Sequence, residues 1–163
     1  MPISTRLQEC LNRENVRYQI LPHGETYTAS RLAQELHVSG KELAKVVILK
    51  VADRFVMTVL PASWQVDLAR LKGIFDTAPV RLAFEQEIRE LFPDCDVGAM
   101  PPFGNLYGLA VYVDQSLTED EEIVFQAGTH TEAVKLRYQD FARLVRPIPA
   151  QFHRVIPWGM TGS

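Results

Sequence analysis

The sequence predicts an α+β fold, a single domain in which a mixed central β-sheet is flanked by helices. Two apolar, β-branched runs, residues 45–51 and 54–60, stand on either side of Ala52-Asp53 as the arms of a hairpin. Amphipathic helical segments are interspersed with short strands along the whole chain, the pattern of a mixed sheet with helices packed on it. A length of 163 residues, 47% hydrophobic and 23% charged, can bury one real core, and no repeat, low-complexity block or linker divides it.

Ser4 caps a first helix that runs to about residue 14, with Leu7, Cys10 and Leu11 on its apolar face. Residues 16–21 alternate as a short strand, ended by His23-Gly24. Thr28 caps a second helix over 29–36, with Leu32, Ala33 and Leu36 facing inward. Ser39-Gly40-Lys41-Glu42 has the spacing of a capping box and predicts a short third helix. That helix leads into 45–51, the strand expected at the sheet centre and buried on both faces. Its hairpin partner, 54–60, is stopped by Pro61.

Residues 67–72 form one or two helical turns, and 80–82 a short strand. Residues 83–91 form a helix with Phe84, Ile88 and Leu91 at core spacing, closed by Pro93. A buried strand at 109–113 is followed by an acidic turn at 114–121 and a strand at 122–126. Ala127-Gly128-Thr129-His130 is a turn, 131–136 a further strand and 138–145 the closing helix. The domain is therefore 1–146. Residues 147–163, with Pro147, Pro149, Pro157 and Trp158, read as an irregular C-terminal tail.

Several function classes are excluded. No apolar run approaches the roughly 18 residues of a membrane span, and the first residues lack the apolar core of a signal peptide, so a cytoplasmic location is expected. Cys10 and Cys95 form neither a CxxC pair nor a disulfide framework. His23, His37, His130 and His153 lack metal-ligand spacing, so no metal is expected, and no cofactor either. There is no GxSxG, Walker loop, GxGxxG or HExxH. The acidic cluster at 119–122 reads as a solvated tip. A net charge of −3 argues against broad nucleic-acid binding. The halves differ, however: residues 1–81 carry 11 Lys and Arg against 8 Asp and Glu, and residues 82–163 carry 6 against 12, so a local grip on a short phosphate segment is permitted.

What remains is Val97-Gly98-Ala99-Met100-Pro101-Pro102-Phe103-Gly104, where two glycines bracket a double proline and the backbone is shaped rather than loose. It is either a rigid turn between a helix and a strand or a loop whose N–H groups at Gly98, Ala99 and Met100 line a small pocket. Two other segments stand with it: Lys45, opening the most apolar strand in Ala44-Lys45-Val46-Val47-Ile48, and Gly128-Thr129-His130 after Phe125-Gln126-Ala127.

In order and spacing, the lysine strand, the GxxxP loop and the late Gly-Thr-His resemble the YbaK family, which includes the editing domain inserted in bacterial prolyl-tRNA synthetases. The resemblance covers residues 5–146 and extends to Val59-Leu60-Pro61-Ala62 and Val111-Tyr112-Val113-Asp114. One departure is Val46, where many relatives carry Thr, Ser or Asn.

The resemblance implies a trans-editing deacylase that hydrolyses the ester of a small mischarged amino acid on tRNA. An aminoacyl ester is already activated, and the vicinal ribose hydroxyl helps with water, so the protein contributes mainly orientation and oxyanion stabilisation. It further implies that Lys45, Gly98, Ala99 and His130 are catalytic. Lys45 holds a phosphate, ribose or carbonyl oxygen, the Gly98 and Ala99 N–H groups take the oxyanion, and His130 acts as general base or is structural. Thr28, Ala29, Met100, Pro102, Phe103, Gly128 and Thr129 are the substrate-binding set, with Ala33 beside Ala29. The implied partners are the acceptor end of a mischarged tRNA and an aminoacyl-tRNA synthetase, with no membrane and no set oligomeric state. A non-catalytic tRNA- or synthetase-binding module of the same fold, and hydrolysis of another small ester or a free acyl-nucleotide, are the alternatives.

Overall fold

Strand β2 (Leu43–Val51) is the one on which the sheet is assembled. A computed structural model describes residues 4–24, 29–38 and 42–154. β3 (Arg54–Pro61) runs antiparallel to β2 from Ala44–Pro61 to Val51–Arg54, the expected hairpin. On its other edge β2 has two partners in succession. β6 (Glu122–Thr129) pairs in parallel at Leu43–Val124 and Ala44–Phe125, and β4 (Val80–Leu82) pairs antiparallel from Leu49–Leu82 to Val51–Val80. The Ala83 N–H extends that second contact to the Ile48 carbonyl at 2.9 Å. Lys45, Val46 and Val47 lie between the two and have no ladder partner on that edge.

The full order is β1-β7-β6-β2-β3-β5-β8, with β1 (Tyr18–Pro22), β5 (Ala110–Asp114), β7 (Glu132–Arg137) and β8 (Ile148–Ala150) completing a mixed sheet. Among the described residues five helices pack on it: α1 (Thr5–Arg13), α2 (Ala29–Leu36), α3 (Leu68–Ile74), α4 (Glu85–Leu91) and α5 (Tyr138–Val145). Two short 3-10 turns, Gly104–Tyr107 and Gln115–Glu119, flank β5.

Strand alternation sends side chains to two faces. Ala44 and Ile48 belong to the main core with Leu7 and Leu11 of α1, Phe125 of β6 and Phe141 of α5. The other face carries two separate clusters. Leu32 and Ala33 of α2 cover Leu43, Val124 and Ala133, whereas Leu71 of α3, Phe75 and Phe152 cover Leu49, Val56 and Leu60. By the same alternation Lys45 points to this second face, in the space between the clusters.

Several expectations are corrected. Glu42 lies in a turn and Leu43 already in the strand, while the rest of the expected third helix, residues 39–41, lies outside the described set. Phe84 is 61% exposed, because α4 starts after it. Its N–H donates to the Glu87 carboxylate at 2.7 Å, and the Arg81 guanidinium stacks 4.1 Å above its ring. Asp114 is not in an exposed acidic turn but is the fully buried last residue of β5.

The tail is also held more tightly than its prolines suggest. Residues 148–150 form β8 in parallel with β5, and Phe152 is fully buried. Asp114 accepts from the Phe152 N–H at 3.2 Å, the His153 N–H at 3.0 Å and the His153 ring Nδ1 at 3.0 Å. Burial alone pushes the Asp114 carboxyl up; hydrogen bonds from Ser116, Phe152 and His153 outweigh it and hold it below the usual carboxylate range.

Candidate active site

Where β2 and β6 part company, the sheet opens and another segment takes up the free edge of β6. The Asp96 N–H donates to the Gly128 carbonyl at 2.8 Å, and the Gly128 N–H to the Ala99 carbonyl at 2.7 Å. β7 occupies the opposite edge of β6, so these bonds lie on the side where β2 pairs further back. The Gly98 loop thus takes the edge of β6 beyond its last pair with β2, where residues 45–47 of β2 have no ladder partner on that edge among the described residues. The bond register of β6 and β7 shifts between Gln126 and Thr129, which is the bulge that turns Gly128 toward the loop. Ala127, Gly128 and Thr129 accordingly belong to β6 rather than to the expected turn, which is confined to His130 and Thr131.

Gly98 has φ +88° and Gly128 φ +108°, a region that side chains disfavour. Beyond the dihedral, a Cβ on Gly128 would come within 3.1 Å of Ser4 Cβ. Ser4 is there because its N–H donates to the Ala127 carbonyl at 2.8 Å, while its hydroxyl donates to Asp94 at 3.0 Å. Asp94 also accepts from the Tyr107 hydroxyl at 3.1 Å and faces Arg6 at 3.9 Å. The cap of α1 therefore braces both the bulge and the start of the loop. Burial pushes the Cys95 thiol up to about 11, so it is no nucleophile.

His130 Nε2 lies 2.9 Å from the Val97 carbonyl. A carbonyl only accepts, so Nε2 carries the proton, and the ring is pinned to the loop with Nδ1 as its remaining acceptor. The Gly98 N–H rests on Met100 Sδ at 3.2 Å, a weak acceptor. The Ala99 N–H is spent on the Asp96 carbonyl at 3.0 Å, which removes it from the expected pair of oxyanion donors. The Met100 N–H has no acceptor among the described residues.

The expected binding set separates on inspection. Phe103 is fully buried between Phe125 and Phe141, with ring centroids 5.8 and 5.7 Å away, and is core rather than pocket wall. Pro102 is buried too, and Met100 supports the loop through its sulfur. Thr129 is buried, its hydroxyl 3.3 Å from that of Thr131. Ala33 lies on the α2 cluster beside the gap, Ala29 belongs to the same helix, and Thr28 is outside the described residues. Two surface hollows, one lined by Arg17, Lys135 and Asp140 and the other by Arg13, Asn105 and Arg143, contain none of these residues.

Lys45 is half-buried, and burial holds its ammonium below the usual lysine range. It has no carboxylate partner among the described residues. A residue that the sequence reading passed over stands level with it. Gln126 follows Phe125 as Lys45 follows Ala44, and its buried Oε1 has no hydrogen-bond partner among the described residues. The signal was a polar side chain inside Val124-Phe125-Gln126-Ala127, read only as the end of a strand.

Residues 23–144 match the family model described as the aminoacyl-tRNA editing domain. The multifunctional Ser/Thr-tRNA deacylase ProXp-y of Escherichia coli (strain K12) is 28% identical over 154 residues, spanning 91% of this chain and 92% of that one. The proline–tRNA ligase of Macrococcus caseolyticus is 30% identical over 106 residues, 65% of this chain and 18% of the ligase. A crystal structure assigned as a trans-editing enzyme for prolyl-tRNA synthetase superposes with a TM-score of 0.83 at 20% identity, covering 95% of this chain and 99% of that one, and so shares the α+β fold.

Proposed function

The chain belongs to the aminoacyl-tRNA editing domain family, and on that premise we propose that it is a trans-editing deacylase that hydrolyses the ester of a small mischarged amino acid on tRNA. The observation that carries the reading is the split between β2 and β6, with an unpaired, half-buried lysine on one side and a stapled glycine loop on the other. A module that only binds has no need of an uncompensated cation opposite displaceable N–H groups.

In this reading Lys45 is a point charge that attracts a phosphate, ribose or carbonyl oxygen of the aminoacylated acceptor end. Water adds to the ester carbonyl carbon, and the oxyanion takes the Gly98 N–H, released cheaply from the Met100 thioether, together with the Met100 N–H. Collapse breaks the bond to the ribose oxygen, which leaves with a proton supplied through its vicinal hydroxyl, and the free amino acid departs. His130 serves as a positioning residue: its Nε2–H holds Val97 and so fixes Gly98. Ala33 of α2 lies in the cluster on the Lys45 face, Ala29 belongs to the same helix, and a rigid loop limits the acyl group by size. Mischarged tRNA and prolyl-tRNA synthetase are the partners, in the cytoplasm, where tRNA is charged.

The test is a deacylation panel of alanyl-, seryl-, cysteinyl- and leucyl-tRNA. Hydrolysis of the small esters and little of the leucyl ester is expected. Inactivity on all four would refute the reading, and equal rates on leucyl and alanyl esters would refute exclusion by size.

A further inference from the structure

The geometry points to Gln126 as a specificity-determining residue that accepts a hydrogen bond from a hydroxyl on the side chain of the bound amino acid, an inference that rests on the deacylase reading above. Its Oε1 is buried and has no partner among the described residues, a state that is costly unless a ligand supplies a donor. Its place in the fold says where that donor comes from. Gln126 is the first residue of β6 beyond the last ladder pair with β2, as Lys45 is the first of β2. It pairs across β6–β7 with Ala133, which lies in the α2 cluster with Leu43 and Val124. Gln126 and Lys45 therefore share one face, at the opening of the split.

The surroundings narrow the chemistry. The neighbours on this face include the small, apolar Ala33 and Ala133, which offer the carboxamide no hydrogen-bonding side chain. A second cation, such as the substrate's α-ammonium, is disfavoured beside the unpaired ammonium of Lys45. A neutral hydroxyl meets no such repulsion and satisfies the orphaned oxygen. An acyl group without a hydroxyl would leave Oε1 unpaired in the complex, so the site discriminates by hydrogen bonding as well as by size.

The test compares kcat/KM of wild type and Gln126→Met on seryl- and alanyl-tRNA built on the same tRNA, with the thermal midpoint of each protein. Methionine keeps the volume and removes the acceptor. The expected result is a loss of about tenfold or more on the seryl ester, with the alanyl ester unchanged or faster, since replacing an orphaned polar group with an apolar one is close to neutral. The wild type alone should also favour seryl over alanyl by about tenfold or more, a reading independent of whether the variant folds well. Equal losses on both esters would put the bond on a group common to them and overturn the proposal. An unchanged seryl-to-alanyl ratio overturns the role of Gln126 alone, whereas hydrolysis of neither ester by wild type would overturn the deacylase reading and this inference with it.

Discussion

In a Lys45→Met variant the unbranched stem that packs on β2 is retained and only the ammonium is lost. Two effects of opposite sign follow. The ammonium is half-buried, held below the usual lysine range by burial, and without a carboxylate partner among the described residues. Its removal relieves the folded state of a desolvated charge. The gain at neutral pH is at most about 1 kcal/mol, because the group keeps a side toward water. The sign with pH follows from the direction of the shift. Between the lowered folded value and the ordinary lysine value the unfolded chain binds more protons, so wild-type stability rises with pH through that window, and the variant lacks the rise. Deacylation moves the other way, since one lost transition-state electrostatic contact costs on the order of 3 kcal/mol, about a hundredfold in rate. Urea denaturation at neutral and alkaline pH, with single-turnover hydrolysis of an alanyl or seryl ester, measures both. Wild-type turnover in the variant, or a clear loss of stability, would refute the argument.

Other substitutions probe the loop and the tail. Gly98→Ala should cost about 1–2 kcal/mol from its positive φ, and Gly128→Ala more, because its Cβ also meets Ser4; denaturant midpoints in the reverse order would contradict the bracing by Ser4. His130→Ala should slow hydrolysis on the order of tenfold to a hundredfold by freeing Val97, while His130→Gln, which keeps a donor, retains most of the rate. Equal loss in both variants would return His130 to general-base work through Nδ1. Asp114→Ala should destabilise by about 3 kcal/mol, since it strips the acceptor from buried donors at Phe152 and His153. The Asp114 carboxyl is held below its ordinary value, so its contribution is complete above that value and is lost as pH falls through the folded one. Hydrogen exchange at the Phe152 and His153 amides, followed into acid, reports that release.

Much of this architecture is legible from local pattern. The Ser4 cap, the 45–60 hairpin and the closing helix at 138–145 follow from side-chain chemistry within a few residues. The misreadings have tertiary causes. Asp114 looks solvent-facing beside Glu119 and Asp120 because its partners, Phe152 and His153, come from some forty residues downstream. Phe103 sits in a loop motif and reads as pocket lining, yet the aromatic rings of β6 and α5 claim it. Gln126 was invisible because its meaning depends on β2 leaving β6 one residue earlier, a fact of pairing rather than of sequence. Lys45 and Gly98 stand out in the sequence because their neighbours in the chain already mark them, a cation inside an apolar run and a glycine ahead of two prolines.

Beside the side-chain bond from His130 to Val97, the staples at this site run main chain to main chain, from Asp96 to Gly128 and from Gly128 to Ala99, with Ser4 bonded to Ala127 behind them. Peptide groups are the same whatever side chain they carry, so most residues in these segments can be exchanged without breaking a staple. Their count along the chain cannot change so freely. One residue inserted or deleted at 96–99 or 126–129 would slide every donor past its acceptor and carry Gly98 away from His130. Outside Gly98, Gly128, His130 and Gln126 the composition of these segments is therefore freer than their spacing, and an insertion of a single codon there is a graver lesion than several substitutions at the remaining positions.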